Sequence, residues 1–233
     1  MGDIYKLGTS KQSLEAKSYL RKPLQGFNDA NQKATQVRSE LYARAFVVEK
    51  GGQRIAFIVA DIWSGTKEIK QALLDLIAKS ALKKTFLAKN LMVSGTHTHA
   101  GPAGITGYKL YTFAGGELNK SVVERIAKAM FDALLAAWKG RQDGTIEQVT
   151  LDVTETEFMG GNRSTSAYDK NYLSDRNRYK FPFDTEITSL VFRAGTTVPA
   201  QGKPAGRVLG VLSWLAMHCN SLGSGCIDFR SAA

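Results

Sequence analysis

From residue 41 onward the chain alternates short β-rich apolar runs with segments of helical spacing. Residues 41–48 and 54–60 are two such runs, and Lys50-Gly51-Gly52 between them predicts a hairpin. Residues 67–81 place Ile69, Leu73, Leu76, Ile77 and Ala81 near helical spacing, a stripe that would lie on the sheet. Residues 90–94 read as a further strand entering a glycine-rich segment at 95–107, and 119–138 form a long amphipathic helix ended by Gly140. Strands are predicted again at 145–156, 186–193 and 207–218, with a polar and aromatic stretch at 163–183. Residues 1–40 lack a clear period and are expected to be a loop-rich lead-in with one short helix near 14–20. The whole predicts an α/β fold: a mixed β-sheet core flanked by helices. No internal repeat or low-complexity linker divides it.

Composition changes this picture little. The chain has 233 residues, 43% hydrophobic and 22% charged, enough to bury a core without disulfide staples. Lys and Arg total 31 against 21 Asp and Glu, a net charge of +10, which raises an anionic partner as a question. The cations are scattered, with Arg21-Lys22 and Lys83-Lys84 the adjacent pairs, so no nucleic-acid partner is predicted. No apolar stretch approaches the roughly 18 residues of a membrane-spanning helix, and the opening Met1-Gly2-Asp3 lacks the pattern of an export signal. Cys219 and Cys226 fit neither a Cys-x-x-Cys zinc site nor a disulfide scaffold.

The candidate chemistry lies in three histidines, His97, His99 and His218. Imidazole is the commonest protein ligand for zinc and titrates near neutral pH. In Thr96-His97-Thr98-His99 the two rings are two residues apart, which on extended backbone turns both to one side. One could bind a metal while the other faces a substrate; the alternative is a turn cap beside an exposed ring. His218 ends an apolar run at 209–217, and a lone histidine there is either structural or a ligand brought beside His97 from another strand. Arg163, in Gly161-Asn162-Arg163-Ser164, offers a planar donor fork for a carbonyl, carboxylate or phosphate; the alternative is an ordinary turn.

Three ordered segments carry a family resemblance. Ser94-Gly95-Thr96-His97-Thr98-His99-Ala100-Gly101-Pro102, Gly161-Asn162-Arg163-Ser164 and Ser213-Trp214-Leu215-Ala216-Met217-His218-Cys219-Asn220 resemble signatures of the neutral/alkaline non-lysosomal ceramidases. Tyr42-Ala43-Arg44-Ala45-Phe46-Val47-Val48 and Val59-Ala60-Asp61 resemble that family's opening strands, so the similarity runs from about residue 41 to 222. It divides the chain into a lead-in at 1–40, the N-terminal part of a hydrolase domain at 41–222 and an atypical tail at 223–233.

The resemblance implies a zinc-dependent amidase that splits the N-acyl bond of ceramide, or a related N-acyl sphingolipid, into sphingosine and a fatty acid. It assigns His97 and His218 to the Zn2+ ion, and His99 and Arg163 to the reacting amide. Zinc in such a site lowers the pKa of bound water to roughly 7 and polarises the carbonyl. His99 and Arg163 would then stabilise the developing oxyanion. The family takes two further zinc ligands, a Glu and a Tyr, from regions with no counterpart here. The chain therefore resembles an incomplete catalytic domain, expected to have little activity alone. The family also implies a secreted, periplasmic or membrane-associated setting with peripheral membrane contact. Two other readings stay open: a non-catalytic basic protein docking on anionic membrane, and a zinc amidase for another N-acyl lipid.

Overall fold

A computed structural model of the chain describes residues 3–27, 29, 31–152, 165–178, 180–196, 206–218 and 228–229. In chain order the strands are β1 (Tyr5–Ser13), β2 (Leu24–Gln25), β3 (Gln36–Val37), β4 (Tyr42–Lys50), β5 (Gln53–Ala60), β6 (Leu91–Gly95), β7 (Gly101–Pro102), β8 (Gln142–Asp152), β9 (Glu186–Ala194), β10 (Val208–Trp214) and β11 (Asp228–Phe229). The main helices are α1 (Lys67–Ala78), α2 (Lys109–Gly115) and α3 (Lys120–Lys139). A seven-stranded sheet has the order β10-β9-β8-β1-β4-β5-β6, antiparallel except for the β5–β6 pair, which α1 connects as a crossover. The predicted mixed sheet with flanking helices is the observed architecture.

The β4–β5 hairpin turns on two glycines. Lys50 pairs with Gln53, and Gly51 and Gly52 have φ of 56° and 78°, the left-handed pair that a two-residue turn between twisted strands requires. Alternation along these strands then sorts side chains onto two faces. Ala43, Ala45 and Val47 of β4 and Ala56, Ile58 and Ala60 of β5 join the larger core, whereas Phe46, Val48, Phe57 and Val59 join a smaller cluster with Leu7, Phe192 and Leu212. The helices lie on the first face: α3 packs on β1 and β4, and α1 packs on α3. Helix starts are fixed locally, since the Thr66 hydroxyl accepts from the Ile69 N–H and the Asn119 side chain from the Val122 N–H.

The lead-in expectation is corrected by β1. Residues 6–13 pair with β4 on one side and residues 5–7 with β8 on the other, placing the strand inside the sheet. Polar residues such as Lys6, Ser10 and Gln12 hide the strand from a hydrophobic reading. Its support is the neighbouring ladders, together with Gly8, where a side chain would run into the Ala137 carbonyl of α3. The short helix near residue 14 is a single 3-10 turn at Ala16–Tyr19.

The far end of the sheet curls over the face opposite α1 and α3. Thr9 Oγ1 donates to the Leu209 carbonyl at 3.0 Å, Gly210 leaves no room for a side chain beside the Phe46 ring, and Trp214 meets Phe57 edge-on with centroids 6.0 Å apart. β10 thus passes over β1, β4 and β5 in turn. The strand ends at Trp214 rather than at residue 218, and the chain continues without regular structure to His218. The two outermost strands of the row therefore deliver their C-terminal extensions to one place.

Candidate metal centre

Backbone hydrogen bonds seat His97 directly beyond β6. The Thr96 N–H donates to the Ala60 carbonyl at 2.9 Å and the His97 N–H to the Ile62 carbonyl at 3.1 Å, so the chain leaving β6 is fastened to the chain leaving β5. His97 Nδ1 lies 2.9 Å from the Trp63 carbonyl. A carbonyl only accepts, so Nδ1 carries the proton and Nε2 presents its lone pair. His97 has φ 61°, in the left-handed region, which corrects the expectation of an extended Thr-His-Thr-His segment. The rings of His97 and His99 do face each other, with centroids 5.1 Å apart, but a bend rather than strand alternation turns them together.

His218 arrives from β10, 121 residues later, and its Nε2 is 3.1 Å from Nε2 of His97. His99 completes the group, its ring centroid 4.8 Å from that of His218. Ring nitrogens of all three lie within 4.8 Å of one another. Two nitrogen ligands on a tetrahedral zinc ion are themselves about 3.3 Å apart. The His97–His218 spacing fits that chord, and the donor set suits a borderline metal such as zinc. The three imidazoles form a cluster that could hold a metal ion.

The surroundings differ around the cluster. His99 is 4% exposed, packed edge-on against Phe27 at 4.8 Å, and Gly26 (φ 131°) leaves no space for a side chain beside its ring. Residues 24–25 reach this point because β2 pairs with β7, just beyond His99. On the other side of His97 opens a cavity of about 750 Å3, whose lining mixes apolar Val59, Leu212, Trp214 and Met217 with acidic Asp184 and Glu186.

The structure brings together three of the four residues singled out in the sequence, while Arg163, like Cys219 and Cys226, lies outside the described residues. The glycine-rich segment beyond β6 is largely buried. Gly95 abuts the Ile62 carbonyl and Ser64, and Gly101 abuts Asp61, so these glycines admit protein backbone. Gly26, Phe27 and the Trp63 carbonyl escaped the sequence reading. The first two fall in the unpatterned lead-in, and a backbone carbonyl carries no residue-type signal.

The sequence model of the neutral/alkaline non-lysosomal ceramidases, N-terminal, matches residues 5–225. The chain belongs to this family. The match begins in β1 and so takes in this strand as well as the segments from residue 41 onward. Relatives include neutral ceramidase 1 of Arabidopsis thaliana, 28% identical over 200 residues, covering 85% of this chain and 24% of the relative. Neutral ceramidase of Drosophila melanogaster is 26% identical over 200 residues, covering 85% and 27%. Among solved structures, the neutral ceramidase of Pseudomonas aeruginosa superposes with a TM-score of 0.83 at 21% identity, covering 98% of this chain and 34% of that one. A ceramidase complexed with C2 gives the same TM-score at 20% identity, covering 98% and 33%. The chain spans about a quarter of the length of these curated relatives and a third of the solved chains.

Proposed function

We propose that this chain is the histidine-bearing part of a zinc-dependent amidase that hydrolyses the N-acyl bond of ceramide to sphingosine and a fatty acid. The observation that carries the reading is the 3.1 Å approach of His97 Nε2 to His218 Nε2 across 121 residues of sequence. His97 and His218 hold the ion, His97 through Nε2, which its bond to Trp63 through Nδ1–H leaves unprotonated. Zinc, when bound, supplies a polarised amide carbonyl and a water made nucleophilic near neutral pH. His99, fixed by Phe27 and Gly26, orients the reacting amide, and Arg163 contributes donors to the developing oxyanion. The apolar side chains of the cavity beside His97 suit one hydrocarbon chain of an N-acyl sphingolipid, and its Asp184 and Glu186 suit the polar groups near the amide. Tyr108 and Leu110, 54% and 79% exposed at the start of α2, support peripheral contact with the membrane that carries such a lipid.

A catalytic zinc takes at least three protein ligands and a water, so two or three imidazoles predict weak binding and little turnover by this chain alone. Calorimetric zinc titration of the purified chain tests the reading. Binding at least tenfold tighter than that of the His97→Ala, His218→Ala double variant is expected, and equal binding would remove the metal from the proposal.

A further inference from the structure

We propose that the ion pair between buried Asp61 and partly exposed Arg44 is the positioning device of His97, setting both its ring orientation and the nitrogen that carries its proton. The proposal rests on the metal-centre reading for its purpose, while the geometry beneath it is independent of any ion.

Asp61 is fully buried immediately after β5. Its Oδ1 accepts from Arg44 Nη1 at 2.9 Å, and its Oδ2 from Arg44 Nη2 at 3.1 Å and from the Tyr42 N–H at 2.9 Å. The Asp61 N–H in turn donates to the Tyr42 carbonyl at 2.9 Å, so backbone and side chain together lock this residue to the start of β4. Three donors, two from a planar guanidinium fork, occupy the carboxylate and leave it no role as a ligand.

The next two residues are the ones that hold His97: the Ile62 carbonyl takes its N–H and the Trp63 carbonyl its Nδ1–H. His97 occupies a left-handed backbone conformation, which is unfavourable for a residue with a side chain and persists because its surroundings impose it. Gly95 and Gly101 let the 61–64 segment sit against the backbone on either side of the histidine motif. A buried carboxylate needs donors to offset its lost hydration, and the fork and amide that supply them to Asp61 also fix where it sits. Here the pair fixes the strand end from which both carbonyls are presented. The device acts through Trp63 and touches neither metal nor substrate.

The test uses 15N-histidine-labelled, metal-free protein, in which long-range 1H–15N spectra report the tautomer of each of the three imidazoles. Wild-type His97 is expected as the Nδ1–H form, the less favoured one for free histidine. Arg44→Lys, which keeps the charge but loses the fork, and Asp61→Asn are expected to convert His97 to a mixture containing the Nε2–H form. Both are expected to weaken zinc binding by about tenfold while remaining folded by circular dichroism. Arg54→Lys, in the Arg54–Glu49 pair elsewhere on the same hairpin, is the control expected to change neither readout. A wild-type tautomer in either folded variant, or an Nε2–H His97 in the wild type, would overturn the proposal. Should Asp61→Asn fail to fold, Arg44→Lys decides, since the Arg44 side chain is 31% exposed. A wild type that binds zinc no better than the double-histidine variant would sink the metal reading and leave the tautomer result standing.

Discussion

The two faces of the sheet are built to different standards. On the helix-backed face, small and branched residues of β4 and β5 meet α3 through Val123, Ile126, Met130 and Leu134 in one contiguous buried core. On the curled face the fully buried group is Leu7, Phe46, Phe192 and Leu212, and β10 leaves Val208, Val211 and Trp214 more than 40% exposed. Since burial of apolar area is the main stabilising term, the first face supplies most of the stability. His97 and His99 grow from that face's strand ends, whereas His218 is carried by the thinner one. A strongly held half presents two imidazoles, and a weakly held arm closes over them with the third.

The largest effect that separates the two faces is a pair of leucine truncations. Leu134→Ala is expected to cost about 3–4 kcal/mol in urea unfolding and to leave zinc affinity of the folded protein unchanged. Leu212→Ala is expected to cost roughly 2 kcal/mol, because its cluster is smaller and looser, yet to lower zinc affinity about tenfold by releasing the arm that carries His218. Equal stability losses, or an unmoved affinity for Leu212→Ala, would erase the distinction.

A smaller effect sharpens it from the alkaline side. Tyr19 belongs to the helix-backed core, and burial pushes its phenol from 10.0 up to about 12. The folded state therefore keeps a proton that the unfolded state releases, and this stabilisation is complete below pH 10 and lost as pH rises through about 12. Unfolding free energies from urea titrations across that window are expected to fall, by on the order of 2–3 kcal/mol in total, and Tyr19→Phe to flatten the fall. An identical pH profile in the variant would show that other groups govern it.

The smallest expected effect concerns the seam between the faces. Gly26→Ala forces a side chain into a left-handed backbone and against the His99 ring. We expect a loss of roughly 1–2 kcal/mol and a shift of the His99 imidazole signals with those of His97 little changed. Unperturbed His99 signals would remove Gly26 from the support of the site.

Most of the fold was legible where burial imposes a period. The hairpin at Gly51-Gly52, the stripe of α1, the whole of α3 and the strands β6 and β9 follow from alternation, helical spacing and caps. β1 was illegible because its pairing depends on partners far along the chain, and a polar strand between two neighbours needs no hydrophobic signature. The end of β10 was read too far because an apolar run can continue past the last ladder hydrogen bond. At the site, residue types were legible and supports were not, since Gly26, Phe27 and the Trp63 carbonyl matter through where they sit.

By itself the sequence determined the chemical vocabulary: three imidazoles, the order of strands and helices from residue 41 onward, and signatures shared with one hydrolase family. Tertiary structure decided the rest. The meeting of His97 with His218 requires the sheet to curl until β10 crosses β1, β4 and β5, and the lone pair offered at His97 requires a carbonyl from a neighbouring strand end. Local patterning acts over a few residues, whereas curling and convergence arise from long-range packing whose free energy is shared across the whole sheet.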